Sequence, residues 1–207
     1  MRPYSANPLP NNPLPGFIMS KTIRTFIAIE IPDDIISKFR ELQEGINAYA
    51  FKIRWVRSEN IHLTLKFLGD VEAVKIGELA ETMSKTVEGY TPISLNAKGI
   101  GVFPGIKRPS VLWVGLTGQL ESLVRLQKTL DENLKVLGFP GEKRPFKGHL
   151  TIGRIKAKID VKKFGDALME FRNFESETFT ADQIVLYKSE LKPSGAVYTK
   201  LASASLG

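Results

Sequence analysis

His62 and His149 are the only two imidazoles in a chain of 207 residues, and both open the same kind of tetrad. The first reads His62-Leu63-Thr64-Leu65 and the second His149-Leu150-Thr151-Ile152. With twelve threonines in the chain, a threonine two positions after both histidines is a roughly 0.003 event by chance. Residues two apart on a strand share a face, so each tetrad on a strand presents His and Thr together and sends its aliphatic pair to the other side. Imidazole titrates nearest neutrality, so two rings can be one protonated and one neutral at the same pH, which supplies acid and base together. The threonine hydroxyls can donate to non-bridging phosphate oxygens where charge builds during reaction. Two His and two Thr meeting at one point suit phosphodiester cleavage with no metal and no cofactor. A lone strand histidine is more simply a hydrogen-bonded structural residue; the matched pair favours chemistry. Their separation of 87 residues lets each half of the chain supply one tetrad to a shared cleft.

Composition narrows the alternatives. The chain has no cysteine, which removes disulfides, thiolate nucleophiles and cysteine-bound zinc together. Two histidines cannot build a three-imidazole zinc cage. Lys plus Arg total 29 against 22 for Asp plus Glu, and the net charge of +7 favours an anionic partner such as nucleic acid. No apolar run approaches the ~18 residues that would span a bilayer. A cytoplasmic location is expected.

The elements that must position the tetrads follow from periodicity. Residues 1–18 hold five of the twelve prolines and are expected to form a disordered extension. Residues 19–207 are expected to form one domain. A buried strand is expected from Thr25 to Pro32, then a helix started by Asp33 and Asp34 with Ile35, Phe39, Leu42 and Ile46 on one face. The His62 strand is expected to close in a turn at Gly69-Asp70. A helix carrying Ile76, Leu79, Met83 and Val87 follows, then two strands around residues 92–103 and 110–116. A third helix should end at Gly138, and Asp160 should cap a fourth after the His149 strand. Two strands finish the chain. The order reads as two similar halves with one histidine each, and neighbouring hairpin-like strands favour an α+β fold over a parallel sheet.

With these features in hand, the chain resembles the two-histidine phosphoesterase superfamily, defined by two HxTx motifs, and within it the RNA 2',3'-cyclic phosphodiesterases, also called 2'-5' RNA ligases. The similarity runs from about Arg24 to Leu201 and is carried by RTFIAIEIP, RWVRSENIHLTLKFLGDV, RPFKGHLTIGRIK and VLYKSELKPSGAVYTKL. Two departures are visible: Lys147-Gly148 stands where members often have a proline before the second histidine, and Gly153 replaces a frequent alanine. The resemblance implies a bilobed α+β fold with two antiparallel sheets facing a central cleft, helices outside, and halves related by a pseudo-two-fold axis. It also implies hydrolysis of RNA 2',3'-cyclic phosphate ends to 2'-phosphomonoesters, with reversible ATP-independent 2'-5' joining. His149 is expected to take the proton of the attacking water and His62 to protonate the departing ribose 3' oxygen, while Thr64 and Thr151 hold the phosphate. Substrates could be tRNA halves or small cyclic nucleotides; no protein or membrane partner is implied.

Four further residues are candidates for substrate binding. Arg154 could bind phosphate, although strict alternation puts it opposite His149 unless the strand bulges. Lys66 keeps the parity of His62 and could touch an RNA backbone, with a solvent-facing lysine the commoner fate. Phe67 and Tyr187 could stack on bases, with burial in the core the commoner fate. Arg54, Arg57, Lys143, Arg144 and Lys147 flank the motifs and could attract RNA. The main rival is an RNA-end-binding module that uses the same basic cleft without turnover. A metal-dependent phosphohydrolase is the other, opposed by the lack of any Asp or Glu inside either tetrad.

Overall fold

A computed structural model describes residues 21–193 and 195–207. The proline-rich extension expected over residues 1–18 lies outside the described residues. Among the described residues nine strands and four α-helices are ordered as β1 (Thr22–Glu30), α1 (Asp33–Asn47), β2 (Ile53–Trp55), β3 (His62–Glu72), α2 (Ile76–Val87), β4 (Ile93–Phe103), β5 (Val111–Gly118), α3 (Leu120–Val136), β6 (Leu150–Ile155), α4 (Val161–Glu170), β7 (Phe179–Ala181), β8 (Gln183–Lys192) and β9 (Gly195–Ser205).

The strands are hydrogen-bonded in the order β7-β4-β5-β6-β3-β1-β8-β9, with β2 also paired to β6. Outward from the β3/β6 centre each side runs through the first strand of its own half and then a strand of the other half, β5 then β4 on one side and β1 then β8 on the other. Apart from β2, β7 and β9, each half of the chain supplies a strand, a helix, a histidine strand, a second helix and a crossing strand, and the crossing strand pairs in the other half's sheet: β4 with β5, and β8 with β1. The two antiparallel sheets expected from the resemblance are thereby joined, at the register pair Leu63↔Leu150.

Local sequence explains the elements. In α1 the residues Ile35, Ile36, Phe39, Leu42 and Ile46 form the buried face, as the helical spacing requires. The fourth helix starts at Asp160, whose carboxylate accepts from the Lys163 backbone N–H at 3.0 Å, the expected cap. Gly138, at φ 86°, terminates the segment after α3, where a left-handed conformation needs glycine. Residues Thr25 to Ile29 of β1 are all buried, because the strand is covered on both faces. Ile27 and Ile29 join the main core under the helices, and Phe26 and Ala28 join a second cluster with Val185 and Tyr187.

The His62 strand departs from expectation at its end. Gly69-Asp70 does not close it; β3 continues to Glu72, and Gly69 sits within it at φ 75°. Leu68 is the extra residue there, since Phe67 pairs with Phe26 and Gly69 with Thr25. Glycine takes up the positive φ of this bulge without strain. The three-residue strand β2 lies in a segment for which no strand is expected from periodicity. Among the described residues no helix is long and apolar enough to cross a membrane.

Candidate active site

The two tetrads enter one cleft of about 500 Å³, lined by His62, Thr64, His149 and Thr151. Their aliphatic partners Leu63, Leu65, Leu150 and Ile152 are buried on the core side. The rings are held alike. His62 Nδ1 donates to the Asn60 carbonyl at 2.8 Å and His149 Nδ1 to the Lys147 carbonyl at 2.7 Å, in each case two residues back. A carbonyl oxygen can only accept, so the proton of each neutral ring sits on Nδ1 and Nε2 is left for a substrate.

The surroundings of the two rings differ. The Phe26 ring stacks on His62 at 4.8 Å, and Tyr198 meets it edge-on at 5.3 Å. Phe103 lies edge-on to His149 at 5.0 Å, with Trp113 at 6.4 Å. Burial drives the His62 ring below the usual imidazole range; the Asn60 carbonyl opposes this and the Arg154 guanidinium adds to it. Burial also raises the Tyr198 hydroxyl, against Arg154 and Arg24, which pull it down.

A repeated irregularity places the next residues. In β3, Thr64 pairs with Ala28 and Lys66 with Ile27, leaving Leu65 as an extra residue. In β6, Thr151 pairs with Trp113 and Gly153 with Leu112, leaving Ile152 extra. Both bulges fall three residues after the histidine, and each reverses the facing of the strand residues beyond it. Phe67 and Arg154, equivalent in the two halves, therefore line the cleft. Phe67 is 62% exposed, so it is a surface aromatic of the cleft and not a core residue. Arg154 reaches the cleft by the bulge that alternation alone does not provide, and it pairs across the strands with Arg54, which also lines the cleft. Like charges directly opposite repel, and an anion between them would remove that cost.

Two candidates are corrected. The bulge turns Lys66 away from the cleft, and its side chain is only 3% exposed. Its ammonium donates to Asp131 at 2.6 Å and to the Pro140 carbonyl at 2.7 Å, and lies 3.4 Å from Glu142. Lys66 thus neither touches a substrate in the cleft nor faces solvent; it ties the loop before His149 to β3 and α3. Tyr187 is 8% exposed, stacked on the far side of Phe26, with its hydroxyl donating to Glu30 Oε1 at 2.6 Å. It supports the ring that supports His62 and has no open face for a base. Lys143, Arg144 and Lys147 are outside the cleft lining, whereas Arg57 is within it.

Arg24, Phe26, Trp55, Phe103 and Tyr198, which also line the cleft, are not singled out from sequence, and nor is Trp113, whose ring lies 6.4 Å from His149. Phe26 and Trp113 stand 87 residues apart, the same spacing as the histidines, and that shared offset was the available signal. The Gly153 departure also has a cause: a Cβ there would come 2.7 Å from Ile53 Cγ2 and 3.3 Å from the Trp55 ring. Among the described residues no group of three or more His, Asp or Glu is placed to hold a metal ion.

The model of the LigT-like phosphoesterase family matches this chain twice, over residues 29–113 and 114–198. The chain belongs to that family. The boundary between the two matches falls within β5, where the second half of the fold begins, and this LigT-like phosphoesterase carries one histidine tetrad per match. It is 36% identical over 176 residues to the RNA 2',3'-cyclic phosphodiesterase of Methanocaldococcus jannaschii, covering 85% of this chain and 96% of that one. It is 35% identical over 179 residues to the enzyme of the same name from Thermotoga maritima, covering 86% and 93%. The crystal structure of TT0787 of Thermus thermophilus superposes with a TM-score of 0.74 at 26% identity, over 89% of this chain and 98% of that one. Escherichia coli LigT complexed with 3'-AMP shares the fold with a TM-score of 0.70 at 23% identity, over 90% and 99%.

Proposed function

We propose that this chain hydrolyses RNA 2',3'-cyclic phosphate ends to 2'-phosphomonoesters without a metal ion. The observation that carries the reading is that both tetrads open into one cleft with the same tautomer on both histidines. The relatives named as RNA 2',3'-cyclic phosphodiesterases support the reaction class.

His149 is the base and His62 the acid. His62 is enclosed by Phe26 and Tyr198, so the group that reaches it is one the substrate brings in, the ribose oxygen. The His149 ring is held by a hydrogen bond at the exposed surface, whereas that of His62 is partly buried, which suits His149 to meet the attacking water. Water attacks phosphorus and gives its proton to His149 Nε2; the bond from phosphorus to the 3' oxygen breaks, and His62 Nε2 supplies the proton that oxygen takes. The lowered His62 ring is a stronger acid than an ordinary imidazole once protonated, and the incoming phosphate anion favours that protonation. Thr64 and Thr151 donate to the non-bridging oxygens, and Arg154 balances their charge. Phe67 offers its exposed face to the base. The same steps with an RNA 5'-hydroxyl in place of water, its proton going to His149 as the bond from phosphorus to the 3' oxygen breaks, join RNA through a 2'-5' bond without ATP, and the reverse steps cleave that bond.

The test is incubation with an RNA ending in a 2',3'-cyclic phosphate, with excess chelator and no ATP. A 2'-phosphate end is expected. Tight binding of that RNA with no product would instead favour the RNA-end-binding module, and turnover abolished by chelator would favour the metal-dependent alternative.

A further inference from the structure

A glutamine buried behind each bulge links the two halves. Gln127, on α3 of the second half, reaches the Leu65 carbonyl of the first at 3.4 Å. Gln43, on α1 of the first half, reaches the Ile152 carbonyl of the second at 2.9 Å. Gln43 has the fuller set of partners. Its Nε2 also donates to the Val56 carbonyl at 2.8 Å, and its Oε1 accepts from the Ser58 hydroxyl at 3.3 Å. Gln43 is 8% exposed and Ser58 equally so.

These contacts reach both histidine strands. Ile152 is the extra residue whose bulge brings Arg154 to the cleft side. Its carbonyl already accepts from the Val56 N–H at 3.0 Å, so the Gln43 amide closes the junction between the end of β2 and the bulge. Ser58 opens the short turn Ser58–Asn60, and the Asn60 carbonyl fixes the His62 tautomer. One amide therefore spans the support of Arg154 and the support of His62. A hydrophobic residue would fill the same volume, but it would leave two carbonyls and a hydroxyl with fewer partners inside the protein.

We propose that Gln43 is a positioning residue of this active site, acting through the β6 bulge on Arg154 and through the Ser58–Asn60 turn on His62. The proposal rests on the cyclic phosphodiesterase reading. Gln43→Met keeps the side-chain length and removes the donors; Ser58→Ala is the milder second variant, removing one hydrogen bond and keeping Gln43.

The experiment is a double-mutant cycle with Arg154→Ala, read as kcat and KM on RNA 2',3'-cyclic phosphate and, in parallel, as inorganic phosphate binding followed through the histidine ring signals. Gln43→Met is expected to lower kcat/KM by about 100-fold, the loss typical of a misplacement near 1 Å. Arg154→Ala should then cost less than about threefold in that background, because the guanidinium is already misplaced. Ser58→Ala should show the same coupling with a smaller loss, which keeps the test valid if Gln43→Met folds poorly. Equal cost of Arg154→Ala in both backgrounds would overturn the proposal and leave Gln43 a residue of stability alone. A wild-type protein without turnover, whose phosphate binding still shows the coupling, would overturn the functional reading and keep the role of Gln43.

Discussion

Leu63 and Leu150 are register partners where β3 meets β6, and both are fully buried. Counting one residue outward along the antiparallel strands sets His62 across from Thr151 and Thr64 across from His149. The histidines are then two rungs apart along the junction and one strand apart across it, a Cα separation of roughly 8 Å from strand geometry. Two side chains of imidazole length reaching from such positions can flank one phosphorus centre. Each half supplies the threonine that faces the other half's histidine, so neither half is a site alone.

Substitution at the junction should act through stability first. Leu63→Ala or Leu150→Ala removes a fully buried side chain and is expected to cost about 2–5 kcal/mol. Chemical denaturation measures it. An effect well under 1 kcal/mol would mean that the junction is not packed as described.

The threonine hydroxyls are separable from the threonine shape. Thr64→Val and Thr151→Val keep the branch and lose the donor. Each is expected to lower kcat by about 100-fold with little change in KM, the signature of a donor used in the transition state. A raised KM at unchanged kcat would make them binding groups only.

The pH profile should be a bell whose acid limb belongs to His62. The limbs of such a bell follow the two ring values whichever ring holds the proton. Burial first, and Arg154 in addition, hold that ring below its ordinary 6.5. Arg154→Ala removes one of the two depressing influences, so the acid limb should move upward toward 6.5. A downward movement would contradict the electrostatics. The same shift bears on stability. The folded ring binds a proton less readily than the unfolded one, so its contribution is complete above 6.5 and is lost as pH falls through the lower folded value.

Lys66 and Phe67 are neighbours with opposite roles. Lys66→Met leaves Asp131 without its 2.6 Å partner inside the protein and is expected to destabilise by about 3–5 kcal/mol. Phe67→Ala should leave the melting temperature nearly unchanged, since the ring is 62% exposed, and should weaken RNA binding by about 1–3 kcal/mol through lost stacking. Tyr187→Phe, despite similar chemistry, should leave RNA affinity untouched.

The contrast between Lys66 and Arg154 explains what sequence could and could not convey. Both follow a histidine at a distance where parity decides their side, and alternation alone assigns both incorrectly. The bulges at Leu65 and Ile152 reverse the parity, and an aliphatic extra residue has no glycine or proline to announce it. The helix faces, the Asp160 cap and the two tetrads were readable because their signals are local and periodic. The glutamines were not, because a buried amide is recognisable only from the carbonyls it meets, more than a hundred residues away in the case of Gln43 and Ile152. The bulk of Phe26 and Trp113 suits a core as well as a place beside a histidine ring, and only the repeat offset ties them to the histidines.

The most direct test of the central claim is turnover of an RNA 2',3'-cyclic phosphate by the wild type, His62→Ala and His149→Ala, with chelator present, no ATP, and folding checked by circular dichroism. The wild type is expected to yield the 2'-phosphate, and each folded variant to lose at least about 100-fold in kcat. Near-full turnover by either folded variant would contradict a shared two-histidine site.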